Sequence, residues 1–288
     1  MHVVLRFRYG FVGARGGMSW SRNLASLPCL PMTTAQSVET IAPAGRTTQP
    51  GTLRHVTVAA QLFWGLAAAT LILPFASRSV CLALRQRWAR GMLRAAGLDL
   101  RIEGAAVAPA ALLLANHVSW LDVVVIAAHA PAIFVAKSEV RRWPAIGWLA
   151  QRVETVFLRR ASGRSLLEVK NRIAGLLRAG RGTALFPEGT TSDGRGLLPF
   201  RSGLLQAAVD SGQPVQPVAI VYEEDGKPSA SAAFVDGMTL WRSVIAVCGS
   251  GRITVHLVIA APLASAGRSR KALAREAHEA VAAILARN

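Results

Sequence analysis

Ala110–Asp122 reads AALLLANHVSWLD: a six-residue apolar run, a polar turn at Asn116-His117, then a serine and an acid where the next apolar stretch begins. A short uncharged apolar run bounded by turn residues reads as a buried strand. Ser119 with Asp122 three residues later has the form of a capping box at a helix start. The expectation is therefore strand, turn, helix, with His117 in the turn and Asp122 in the first helical turn behind it. On one regular helix, residues five apart point about 140° from each other and could not meet. A histidine in the turn can instead fold back onto an acid at the helix start. Histidine takes a proton from an alcohol near neutral pH, and a carboxylate holds its ring in one tautomer. The same carboxylate serves equally as a cap for free backbone N–H groups, so this stretch alone leaves both roles open.

Seventy residues after Asn116 comes Phe186-Pro187-Glu188-Gly189-Thr190, closing a second short apolar run, Thr183–Phe186. Further runs at Ala132–Ala136, Thr155–Leu158, Val215–Val221 and Ile253–Ile259 have strand length. Between them lie helical periods. Leu166, Val169, Ile173 and Leu176/Leu177 form one face of Ser165–Ala179, and Leu273, Ala277, Val281 and Ile284/Leu285 one face of Lys271–Ala286. This alternation predicts an α/β domain over residues 98–288, with a mixed central sheet flanked by helices.

The chain upstream differs. Residues 1–51 carry no sustained periodicity, lack a signal-peptide core, and read as a disordered or mis-started extension, with Met18 and Met32 as alternative starts. Val56–Ala76 is an uncharged, mostly apolar run of 21 residues, long enough to reach across a bilayer. Yet arginines crowd both flanks, whereas positive charge favours the cytoplasmic side. A helix lying within one leaflet, or dipping in and returning, satisfies both facts; a buried core helix of a soluble protein is the alternative. Arg78–Ala96 reads as a basic amphipathic helix with Leu84, Trp88 and Met92 in register, suited to the headgroup layer. Residues 52–97 are thus expected to be membrane-anchoring helices.

Composition points the same way. Thirty-three basic against 16 acidic residues give a net charge of +17, which suits nucleic acid, an anionic membrane or an acidic partner. A mean hydropathy of +0.34 selects the membrane surface, and no nucleic-acid-binding motif accompanies the charge. Cys29, Cys81 and Cys248 have neither disulfide-framework nor zinc spacing, consistent with a reducing, cytosol-facing domain. The chain also lacks a Gly-x-Ser-x-Gly elbow and a phosphate-binding P-loop.

Histidine, four residues, aspartate, followed downstream by Phe-Pro-Glu-Gly-Thr, resembles the glycerolipid acyltransferase family over roughly residues 98–261. The resemblance implies that family's fold and a membrane-associated O-acyltransferase. In it, His117 is the general base and Asp122 orients it, with Asn116 helping to position the turn. By the same resemblance Arg160, Glu188, Gly189, Thr190 and Arg201 bind the acceptor. It implies an acyl group passing from acyl-CoA or acyl carrier protein, as co-substrate, to the hydroxyl of 1-acyl-sn-glycerol 3-phosphate, giving phosphatidic acid. No cofactor or metal is implied, and the partners are the lysolipid, the acyl donor and the membrane surface, with no nucleic acid. The implied location is the bacterial inner membrane, the catalytic domain facing the cytoplasm. Two positions depart from the family pattern. Arg159 stands where an aspartate is common, and Thr191 where the motif usually continues with arginine. The second departure keeps a lyso-ornithine lipid, or another lysolipid, as alternative acceptor. An inactive lipid-binding protein on the same fold is the alternative of another class.

Overall fold

The computed structural model describes residues 39–41, 51–159, 162–235 and 237–287. In chain order these form β1 (Glu39–Ile41), α1 (Gly51–Leu71), α2 (Arg78–Ala95), β2 (Leu98–Gly104), β3 (Leu112–Ala115), α3 (Leu121–His129), β4 (Ile133–Lys137), α4 (Ile146–Arg152) and β5 (Val156–Leu158). There follow α5 (Gly163–Arg178), β6 (Thr183–Leu185), α6 (Gln206–Ser211), β7 (Val215–Glu224), β8 (Lys227–Pro228), α7 (Leu240–Gly249), β9 (Ile253–Ile259) and α8 (Arg270–Leu285).

β3, the strand expected from the apolar run at Ala110–Ala115, lies in the middle of the sheet. The strand order is β1-β2-β9-β7-β3-β6-β4-β5, with β8 paired to β7. β7, β3, β6, β4 and β5 run parallel, while β9 joins β7 antiparallel and carries β2 parallel to itself. The sheet is therefore mixed. Side chains alternate across a strand, so β3 feeds both cores. Leu113 and Ala115 join the cluster under α2, α3 and α7, and Leu112 and Leu114 the cluster under α5, α6 and α8. All four residues are buried, which is why this strand shows an apolar run without alternation.

The helices keep most of the expected faces, except that Leu166 of α5 is exposed. Val169, Ile173 and Leu177 of α5 are buried and Ser162 caps it through the Ser165 N–H; Leu273, Ala277 and Val281 of α8 are buried and Ser269 caps it through Ala272. Several elements had no forewarning, β2 and α7 among them. β2 contains Asp99, Arg101 and Glu103, whose charges hide a strand that is half solvated; α7 is short, and Thr239 caps it. Within the expected extension 1–51, residues 39–41 pair antiparallel with β2. Gly51 opens α1, and the rest of that expectation lies outside the described residues.

α1 starts and ends five residues earlier than the uncharged run, which finishes as turns around Pro74. No helix among the described residues is long and apolar enough to cross a membrane. Trp88 also makes a contact that its spacing did not show. Its indole N–H donates to the Gln61 carbonyl at 2.8 Å, and the ring rests on Gly65, where a Cβ has no room. Trp88 joins α2 to α1. Buried Arg54 ties α1 to the end of α7, donating to the carbonyls of Ser250 and Gly251.

Candidate active site

Parallel strands β3 and β6 end side by side, so the loops that follow them meet, as ligand sites do at the carboxyl ends of open α/β sheets. His117 leaves β3 in the turn before α3, and Asp122 lies in the first turn of that helix, as expected. His117 Nδ1 stands 2.7 Å from Asp122 Oδ2. The same oxygen accepts the backbone N–H groups of Val118 at 2.8 Å and Ser119 at 2.9 Å. Capping and orienting are thus one arrangement: the carboxylate that closes the turn also holds the imidazole. A carboxylate only accepts, so the Nδ1 facing it carries the proton and Nε2 bears the lone pair. The Ser119 hydroxyl takes no part in this cap.

Asp122 is fully buried, and its second oxygen accepts the Tyr222 hydroxyl at 2.7 Å. Burial first, and the neighbouring Asp122 second, push the Tyr222 phenol well above its ordinary range, so it serves as a neutral donor. Tyr222 escaped the sequence reading because it sits just beyond the apolar run Val215–Val221. Its only linear signal is a tyrosine at the end of a buried strand, where a phenol needs a partner.

The second loop locks the first. Glu188 Oε1 accepts the His117 backbone N–H at 2.7 Å and Oε2 the Leu198 N–H at 3.1 Å. Only 3% of Glu188 is exposed. Burial raises its carboxyl above the usual range, and the two backbone donors pull it partly back. Ser192 N–H closes on the His117 carbonyl at 2.8 Å, and the Phe186 ring stacks on the imidazole at 4.0 Å between centroids. Asn116 pairs both its amide groups with the backbone of Ile220, fixing the start of the turn on β7. A third segment crosses the site: Phe234 N–H donates to the Val118 carbonyl, and the Thr191 hydroxyl donates to the Phe234 carbonyl at 2.5 Å.

The sequence-derived residues are distributed unevenly. His117, Asp122 and Glu188 converge with direct hydrogen bonds. Gly189 turns with φ +73°, and a Cβ there would stand 3.3 Å from Arg201 Nε, so the arginine lies over the turn. Thr190 is exposed beside it. The Arg201 backbone N–H bonds the Pro187 carbonyl, which holds the cation near the motif. Arg160 lies outside the described residues. Among the described residues, no cluster of three His, Cys, Asp or Glu could hold a metal ion.

A buried acid thus holds a partly exposed histidine where the loops after two parallel strands meet. The Acyltransferase family model matches residues 99–221, and with the relatives below it shows that this chain belongs to the acyltransferase family and is an enzyme of that class. It is 41% identical over 202 residues to the lyso-ornithine lipid O-acyltransferase of Pseudomonas aeruginosa, covering 69% of this chain and 78% of that one. It is 36% identical over 206 residues to the 1-acyl-sn-glycerol-3-phosphate acyltransferase of Neisseria meningitidis, covering 68% and 78%. The crystal structure of the 1-acyl-sn-glycerophosphate acyltransferase PlsC from Thermotoga maritima superimposes with a TM-score of 0.56 at 24% identity, over 81% of this chain and 97% of that one. That last likeness speaks for the fold.

Proposed function

We propose that the enzyme acylates the free hydroxyl of a lysolipid, first of all 1-acyl-sn-glycerol 3-phosphate, at a membrane surface. The observation that carries this is the His117–Asp122 pair, which leaves Nε2 as the base. In the step proposed, Nε2 takes the hydroxyl proton as the alcohol oxygen attacks the thioester carbonyl of acyl-CoA or an acyl carrier protein. The C–O bond forms, the C–S bond breaks, and the imidazolium returns the proton to the leaving thiolate. General-base assistance of this kind is worth about 10²–10⁴-fold. The step calls for no metal or other cofactor.

Arg201, poised over Gly189, supports a phosphate-bearing acceptor, since a guanidinium offers a fork that fits phosphate oxygens. A second reading, a lyso-ornithine acceptor, draws on Thr191. Its hydroxyl is occupied by the Phe234 carbonyl, so the position usual for a further cation is instead a structural tie.

Membrane association draws support from α1. Leu53, Val56, Phe63, Trp64 and Leu71 follow helical spacing along its outer side and are all exposed, as is Phe75 just beyond. Arg87 and Arg94 of α2 flank Trp64 around a shared pocket, a pairing suited to an anionic headgroup layer. Positive charge on both sides of α1 favours the cytoplasmic face of a bacterial inner membrane.

The test is acyl transfer by detergent-purified protein offered lysophosphatidate and lyso-ornithine lipid in parallel, with His117→Ala as control. Turnover of lysophosphatidate that is lost in His117→Ala, with vesicle binding retained, is the expected result. Near-normal transfer by His117→Ala refutes the base assignment, and a preference for lyso-ornithine lipid moves the acceptor to the second reading.

A further inference from the structure

The catalytic loops follow the carboxyl ends of β3 and β6. At the opposite end of the same strands lies a separate pocket of about 230 Å³. Its walls come from Ala111, Ala132 and Gly182, which precede β3, β4 and β6, from the loop before β3, and from Arg78 and Leu82 of α2. Arg181 completes the lining.

This end of the sheet has an uncompensated positive charge. Arg78, Leu82 and Arg85 recur on α2 at helical spacing and so share one face. The charged groups that Arg85 feels are Glu154, Arg181 and Arg78: one acid against three arginines, counting Arg85 itself. Glu154 is already paired with Arg181. Two guanidinium nitrogens, Arg85 Nη2 and Arg181 Nε, are buried without any hydrogen-bond partner. Buried donors on charged groups are costly to leave unsatisfied. Nor do they serve the nearby end of α3, whose carbonyls at Ala128 and His129 already accept from Arg90 and Gln86. Burial, more than any neighbour, lowers Arg85 from the ordinary arginine value.

We propose that this pocket is a second anion site, remote from His117, which takes a phosphate group on the lining residues Arg181 and Arg78, with Arg85 buried beside them adding a third positive charge. Three guanidinium groups with one carboxylate among them leave a net positive charge that suits a multiply charged oxyanion, which an arginine grips by paired N–H bonds. Leu82, Val107, Pro109, Leu113 and Pro131 make most of the remaining wall apolar. The phosphate is therefore either a free ion or the headgroup of an amphiphile whose tail follows that wall. Because α2 supplies two of the three arginines, occupancy fastens α2 to the sheet.

The experiment uses the full chain in detergent, carrying Arg201→Met so that the acceptor site adds little. Inorganic phosphate is titrated while thermal unfolding and heat of binding are followed. A saturable rise in Tm is expected, and adding Arg85→Met should weaken apparent phosphate affinity several-fold, through the loss of one positive charge beside the pocket. Arg78→Met, on an exposed residue that does not threaten folding, should weaken it in the same direction. Phosphatidylcholine vesicles with and without phosphatidate supply the second arm. Competition by phosphatidate assigns the site to a headgroup, and undiminished phosphate binding assigns it to the free ion. Absence of saturable binding, or equal affinity with and without Arg78→Met and Arg85→Met, overturns the proposal.

Discussion

The Tyr222 hydroxyl donates to Asp122 Oδ1 at 2.7 Å, engaging the one carboxylate oxygen that His117 does not use. Asp122 thus receives four donors in full burial, and Tyr222 is the one that comes from β7 rather than from its own turn. Tyr222→Phe removes that donor and keeps the ring. A hydrogen bond to a buried charge contributes about 1.5–3 kcal/mol. The expected outcome is a kcat about tenfold or more below wild type, with KM for both substrates nearly unchanged, because the phenol touches neither. Steady-state kinetics on the folded variant check this. A rise in KM with unchanged kcat contradicts the positioning role.

Glu188 gives a pH-dependent prediction. Its folded-state carboxyl is raised above the ordinary glutamate range by burial. Below that ordinary range, folded and unfolded chains both hold the proton. As pH climbs, the unfolded chain ionises first and the folded chain then carries a buried carboxylate. The contribution of this group is fully present at low pH and is lost as pH rises through the raised value. Glu188→Gln cannot titrate. The Tm difference, wild type minus Glu188→Gln, should therefore be most favourable to wild type near about pH 4 and shrink toward about pH 7. An amide oxygen also accepts where two carboxylate oxygens did, leaving His117 N–H or Leu198 N–H without its partner, so kcat should fall as well. Melting curves across that range, with a difference that grows with pH, would contradict the assignment.

The sheet and the His117–Asp122 pair were legible for a specific reason. β3 is buried on both faces, so its four residues are uniformly apolar, and the turn and acid that follow announce where it ends. β2 was illegible because Arg101 and Glu103 face outward on a strand near the sheet edge, which breaks the apolar signal. Glu188 stood out by its motif, but its bonds to His117 N and Leu198 N depend on two loops meeting in space. Nothing linear encodes that meeting. Tyr222 lies one hundred residues from Asp122, and Phe234 crosses the site from a segment without periodicity. Trp88 adds a contact that spacing alone did not show: its helix was identified by amphipathic spacing, and its indole also ties it to α1.

The outer side of α1 predicts a loss of membrane affinity that spares the catalytic centre. Phe63 is 74% exposed and Phe75 87%, so neither supports the core. Burying one such ring in an apolar phase is worth about 1.5–3 kcal/mol. Phe63→Ser with Phe75→Ser should weaken vesicle partitioning roughly hundredfold or more, while the Tm in detergent changes little. Flotation with liposomes measures the first quantity and thermal unfolding the second. Full retention on liposomes would remove α1 from the membrane contact.

Arg201 separates the two acceptor readings. Its guanidinium lies over Gly189 and its backbone is tied to Pro187, so its position is set by the same turn that holds Glu188. If it grips an acceptor phosphate, Arg201→Met removes a charge-assisted contact worth about 1.5–3 kcal/mol. KM for lysophosphatidate should then rise about tenfold or more, with kcat at saturation much less affected, since the arginine is not bonded to His117 or Asp122. Turnover of lyso-ornithine lipid, which lacks the phosphate, should respond weakly to the same change. Parallel kinetics on both acceptors decide the matter. Equal effects on the two would make Arg201 a support for the Gly189 turn rather than a reader of the headgroup.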